Sequence, residues 1–124
     1  MRILEASTQR VTETPNAVMT TLSSPTLGGS AQSVWLVDMR PGAEGPVHAF
    51  DCELIWAVTD GEGLLRHDDR ETPMCTGTTL VLPAGEMRQF VGGKTGFRAV
   101  VVGQGGATVT RADGQDGGTP PWAA

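Results

Sequence analysis

Short apolar runs broken by turn residues recur along this chain, and none keeps the 3.6-residue apolar spacing of a helix. The clearest are Ser33–Arg40 (SVWLVDMR), Glu53–Thr59 (ELIWAVT), Gly63–Arg66, Thr78–Leu82 (TTLVL) and Phe97–Val102 (FRAVVV). Weaker runs are Ile3–Ala6, Val18–Leu22 and Ala107–Arg111. Between them lie RPGAEGP, TDGEG, HDDRE, PAGE and GGKTG, all rich in residues that favour turns. About eight short strands at such spacing predict an all-β sandwich or barrel. ELIWAVT and FRAVVV are apolar at most positions, so both faces of these strands expect cover. One face would line a barrel, and the other would meet a second sheet or a second subunit. Residues 112–124 (ADGQDGGTPPWAA) read as an extended tail, with Trp122 free to pack back on the barrel.

Composition narrows this picture. At 124 residues the chain is most simply one domain with a real core. Glycine (17) and proline (8) make up about a fifth of it, which suits many turns rather than disorder. Nine basic residues stand against 14 acidic ones, a net charge of −5 that argues against binding nucleic acid or an anionic membrane. No apolar run approaches the ~18–20 residues of a membrane span, and MRILEASTQR lacks a signal-peptide profile, so a cytoplasmic location is expected. Cys52 and Cys75 form neither a disulfide framework nor a C-x-x-C pair, and read as free thiols.

Several chemical motifs fail. GGKTG would need a glycine at position 88 to complete a phosphate-binding loop, and that residue is Arg88. GQGGA at 103–107 lacks dinucleotide-binding spacing. HExxH, EF-hand and zinc-ribbon patterns are absent.

Residues 42–90 carry a different pair of frames. Gly42 is followed by five residues and then His48, and a glycine closes the stretch at Gly61. In TGTTLVLPAGEMRQF, Gly77 is followed by five residues, then Pro83, Gly85 and, two residues on, Arg88. This resembles the cupin superfamily, whose motifs are G-x5-H-x-H-x3-4-E-x6-G and G-x5-P-x-G-x2-H-x3-N. The resemblance implies a small RmlC-like jelly-roll β-barrel over residues 1–111, often a homodimer. It also implies a metal held by two histidines and a carboxylate from the first motif and a histidine from the second. Only His48 matches that set. Phe50 stands at the second position, Arg88 at the fourth, and counts from either end put Leu54 at the third. Glu53 is one residue off, and in a strand one residue reverses the face. A single imidazole does not hold Zn²⁺, Fe²⁺ or Mn²⁺, so no metal cofactor is expected.

What remains is a barrel cavity with His48 and Arg88 as polar, candidate catalytic groups. Phe50, Leu54 and Trp56 would be its apolar, substrate-contacting wall, and Glu53 would join them only if a bulge turned it inward. Trp35 reads as core, and His67 as a turn residue. The chemistry this permits is metal-free: His48 takes a proton beside a carbonyl while Arg88 stabilises the developing oxyanion, as in an isomerase, dehydratase or cyclase. The alternatives are a non-catalytic module that binds a small ligand, and a metal cupin with a shifted ligand set using His48 and Glu53. In each case the partner is a small molecule, with a second copy of the chain covering the outer face that carries Ile55 and Ala57.

Overall fold

A computed structural model describes the whole chain, Met1 to Ala124. It is all-β, with one 3-10 turn at Ala6–Thr8. The strands are β1 (Arg10–Glu13), β2 (Ala17–Ser23), β3 (Gln32–Met39), β4 (His48–Phe50), β5 (Leu54–His67), β6 (Arg70–Cys75), β7 (Thr79–Leu82), β8 (Gln89–Gln104), β9 (Val109–Arg111) and β10 (Asp116–Gly118). No helix is long and apolar enough to cross a membrane.

Seven strands form one sheet in the order β1-β2-β3-β8-β5-β6, with β7 also paired to β5. The other three form a smaller sheet, β10-β9-β4. All pairings within the two sheets are antiparallel. The sheets do not close into a continuous hydrogen-bonded barrel. They share one core, in which Phe50 of the small sheet packs with Trp35, Val37, Trp56, Phe90 and Val101 of the large one. Strand periodicity builds this core directly. Trp35, Val37 and Met39 of β3 are buried, as are Leu54, Trp56 and Val58 of β5, while the residues between them are more open.

Two turn-like stretches of sequence prove to lie inside strands. TDGEG and GGKTG belong to β5 and β8, which run past one another for most of their length. The pairing there shifts register rather than reversing, at Val58/Asp60 and at Gly61/Gly63. The four glycines of the sequence frames, Gly42, Gly61, Gly77 and Gly85, all have positive φ. HDDR is a tight hairpin between β5 and β6, with positive φ at both Asp68 and Asp69 as a two-residue turn of mirror-image type requires.

The expected strand at Ile3–Ala6 does not form. Ile3 is 71% exposed and has no sheet edge to join. Residues 112–124, read from sequence as a tail, pair in part through β10 with β9, and Ala123 is fully buried.

Candidate functional site

Strand β4 sets the site. His48 and Phe50 alternate with Ala49, and a backbone pair joins His48 to Arg88, each amide donating to the other's carbonyl at 3.1 Å. The bridge places the start of β8 beside β4 and so brings the two sequence frames together. Behind this junction is a cavity of about 260 Å³. Trp35, Phe50, Trp56 and Phe90 give it aromatic walls, and Met19 and Met39 line it as well. Its half-open rim includes Thr14, Asn16, His48 and Trp122. His48 is the one ionisable side chain on the wall.

The imidazole of His48 is oriented by the chain just before it. Nδ1 lies 2.8 Å from the Pro46 carbonyl oxygen. A carbonyl only accepts, so Nδ1 carries the proton and Nε2 keeps a lone pair. Burial pushes the His48 pKa below its ordinary value, the Arg88 charge pushes it further down, and the Pro46 bond opposes both. The ring is therefore neutral near pH 7, with a free basic nitrogen. It also meets Phe50 edge-on, with centroids 5.7 Å apart.

Arg88 does not stand where the sequence frame put it. It is 2% exposed but is not on the cavity wall. Its guanidinium carbon lies 5.2 Å from the centre of the Phe50 ring, and Nη1 donates to the His48 carbonyl oxygen at 3.0 Å. Nε is buried with no hydrogen-bond partner. Desolvation lowers its pKa to about 10, with Glu86 and Cys52 opposing, so it stays cationic at neutral pH. The side chain lies over the Phe50 ring and contributes nothing to the cavity lining, so from this position it is not placed to stabilise an oxyanion there. It acts on the site through His48, by charge and by holding β4.

The other expected residues divide. Phe50 and Trp56 line the cavity, and Trp56 stacks on Phe90 with centroids 4.0 Å apart. Leu54 faces inward as the register requires, but at 1% exposure it is core beneath the cavity and does not line it. Glu53 is exposed and borders a shallow outer groove with Cys52, Ile55 and Gln104, so it is not a substrate contact of this cavity. No bulge turns it inward. Thr14, Asn16, Met39 and Trp122 were not anticipated on the wall. Each lies outside the 42–90 frames, so no local spacing could point to it.

The four positions that hold a metal in other barrels of this kind carry one donor here. Phe50 and Leu54 are buried hydrocarbons and Arg88 is a buried cation, so the residues do not fit a metal centre. Glu53, exposed beside an outer groove, adds no donor to the cavity wall that carries His48. The one group of three potential donors is His67, Asp68 and Glu86 at the β5–β6 hairpin, where His67 Nδ1 lies 3.1 Å from Glu86 Oε1. It does not include His48.

No protein-family model and no curated protein matches this chain. Solved structures do. Salicylate 1,2-dioxygenase from Pseudoaminobacter salicylatoxidans matches over 77% of the chain at 18% identity and a TM-score of 0.67, and this chain spans only 26% of it. The polyketide cyclase RemF from Streptomyces resistomycificus matches over 84% of the chain and 79% of its own, at 21% identity and a TM-score of 0.70. A sugar phosphate isomerase of the cupin superfamily from Silicibacter pomeroyi matches over 90% and 82%, at 26% identity and a TM-score of 0.67. With the two motif frames in its own sequence, these likenesses place the chain by fold in the cupin superfamily, as a small RmlC-like jelly roll whose usual ligand positions hold one histidine, two hydrocarbons and an arginine.

Proposed function

We propose that this protein is a metal-independent enzyme of isomerase, dehydratase or cyclase type, with His48 Nε2 as the general base. The carrying observation is a neutral imidazole with one committed nitrogen and one free nitrogen, alone among ionisable groups on an aromatic cavity wall. Its substrate is an uncharged, flat, largely apolar molecule that carries a carbonyl and an acidic C–H. Phosphorylated sugars fit poorly, because no lysine or arginine lines the cavity. Of the likenesses above, the polyketide cyclase therefore suits this wall better than the sugar phosphate isomerase. In the step envisaged, Nε2 removes the proton beside the carbonyl and becomes imidazolium. The proton then returns to another atom of the same substrate or leaves with a hydroxyl as water. Phe50 and Trp56 hold the flat face of the substrate and keep water from the carbanion.

Reaction class can be tested before the natural substrate is known. A two-ring ketone such as 2-tetralone, incubated with the protein in D₂O, should take up deuterium beside its carbonyl faster than in buffer. Binding without exchange across a panel of such ketones would favour the non-catalytic ligand module. A second expectation concerns metal. Protein purified without a His-tag should hold well under one metal per chain, and a chelator should leave its melting temperature unchanged. A full equivalent of metal that titrates with His48→Ala would reverse this reading and make His48 a ligand.

The outer face of the large sheet bears on assembly. Cross-strand register aligns Val34, Val102, Ile55 and Val81 in one row and Leu36, Val100 and Ala57 in the next. Leu36 (39% exposed), Ile55 (41%) and Val81 (59%) leave this patch open in the single chain. We expect a homodimer that covers it. Sedimentation at micromolar concentration should give a species of twice 13.0 kDa, and Ile55→Lys should return it to a monomer.

A further inference from the structure

Trp122 lies far in sequence from the two motif frames, yet its side chain forms part of the cavity rim together with Thr14, Pro15, Asn16 and Pro46. What holds it there is a series of bonds to the backbone of residues 122–124. Thr21 Oγ1 donates to the Trp122 carbonyl at 3.1 Å. Ser33 Oγ and the Gly106 amide donate to the Ala123 carbonyl at 2.8 and 2.9 Å. Thr26 Oγ1 and Arg10 Nη2 donate to the Ala124 carbonyl at 2.6 and 3.2 Å.

Two of these donors sit where the strand pattern calls for hydrocarbon. Thr21 continues the inward row Ala17, Met19 of β2, and Ser33 begins the inward row Trp35, Val37, Met39 of β3. Both are 0% exposed. A buried hydroxyl without a partner is costly, and the tail carbonyls are the side-chain partners these two have. Core positions of the barrel have thus been given over to locating residues 122 and 123. Packing alone would not need hydroxyls there, but fixing an indole at the rim does.

We propose that Trp122 is a specificity-determining residue that limits the size of the flat ligand the cavity accepts, with Thr21 and Ser33 as its positioning residues. This rests on the reading of the cavity as a site for uncharged aromatic ligands. Trp122 shares the cavity lining with Pro46 and the β1–β2 turn, so on this reading a ligand longer than the aromatic wall of Trp35, Phe50, Trp56 and Phe90 meets the ring of Trp122. Removing that ring lengthens the cavity without touching His48.

The test is calorimetric titration of the full chain with two neutral probes, two-ring 2-naphthol and four-ring 1-hydroxypyrene. The wild type should prefer 2-naphthol. Trp122→Ala should weaken 2-naphthol about 10-fold and strengthen 1-hydroxypyrene by a similar factor, inverting the ratio. Trp122→Phe should move the ratio the same way by a smaller factor, and serves if the alanine variant folds poorly. Ser33→Ala, which keeps the indole but loosens its anchor, should also shift the ratio toward the larger probe. A ratio unchanged in all three variants, with both probes bound, would overturn the role of Trp122 while leaving the ligand class intact. A shift with Trp122→Ala but not with Ser33→Ala would remove the positioning role alone. If neither probe binds the wild type, the aromatic-ligand reading itself fails and this inference falls with it.

Discussion

His48→Gln should lower the catalysed rate by roughly 10²–10⁴-fold while leaving substrate affinity within a few-fold of wild type, because proton transfer is lost and the aromatic wall is kept. Glutamine keeps a donor near Pro46 and about the same volume, so a large loss would not be a packing effect. The acidic limb of kcat/KM should lie below pH 6.5, since burial and Arg88 both hold the folded-state pKa under that value. Arg88→Met should move this limb upward by removing the second of those causes. The substitution is tolerable because the guanidinium already leaves Nε unpaired in the interior. A His48 resonance that titrates at the same pH with and without Arg88 would contradict the electrostatic link. A rate loss confined to KM would move His48 from base to binding contact. Stability follows the same sign. Between the lowered folded pKa and the unfolded value of 6.5, the unfolded chain binds the proton more readily. Stability should therefore fall as pH drops through that window, and His48→Gln should flatten the slope.

Gly61→Ala should cost roughly 3 kcal/mol or more, enough to lower the melting temperature by about 10–20 °C. Two causes add. Its φ of +80° is strained for any side chain, and a Cβ there would stand 2.2 Å from the Gly96 carbonyl oxygen and 2.9 Å from the Phe97 Cα. Both neighbours are backbone in the crossing of β5 and β8, so neither can swing aside. Gly77→Ala is the control. Its φ is +92°, but nothing lies within 4 Å of the added carbon, so it should cost only about 1–2 kcal/mol. Equal losses for the two would mean that backbone conformation alone matters at Gly61. A loss at Gly61 under 1 kcal/mol would mean that the crossing is loose.

These two predictions draw on different kinds of legibility. The frame around Gly42, His48, Gly61, Gly77 and Gly85 could be read from the sequence because turns and close crossings demand glycine at fixed places. The strand register could be read as well. Leu54 is buried and Glu53 exposed, and strict alternation leaves no other outcome. Arg88 shows where such counting stops. Spacing locates a Cα, but a long side chain can carry its charge past the wall, and this one lies across Phe50. β1 and β6 gave little local signal because they are edge strands with one weakly covered face. β6 buries only Met74 and contains Pro73, which an edge tolerates. The Ile3–Ala6 run had the composition of a strand but no partner to pair with. The rim residues Thr14, Asn16 and Trp122 are joined to the site only by the path of the chain through space, which no window of sequence contains.

The strand order has a consequence for biosynthesis. β3 pairs on one side with β2, which precedes it directly, and on the other with β8, which is made only after four more strands. While a ribosome elongates the chain, β3 presents an unpaired edge together with Trp35, Val37 and Met39, and nothing local can cover them. Such non-local pairing places folding in the millisecond-to-second range, and the waiting edge is open to other nascent chains. Yield in a cell should therefore depend more on holdase chaperones and growth temperature than the stability of the finished barrel would suggest.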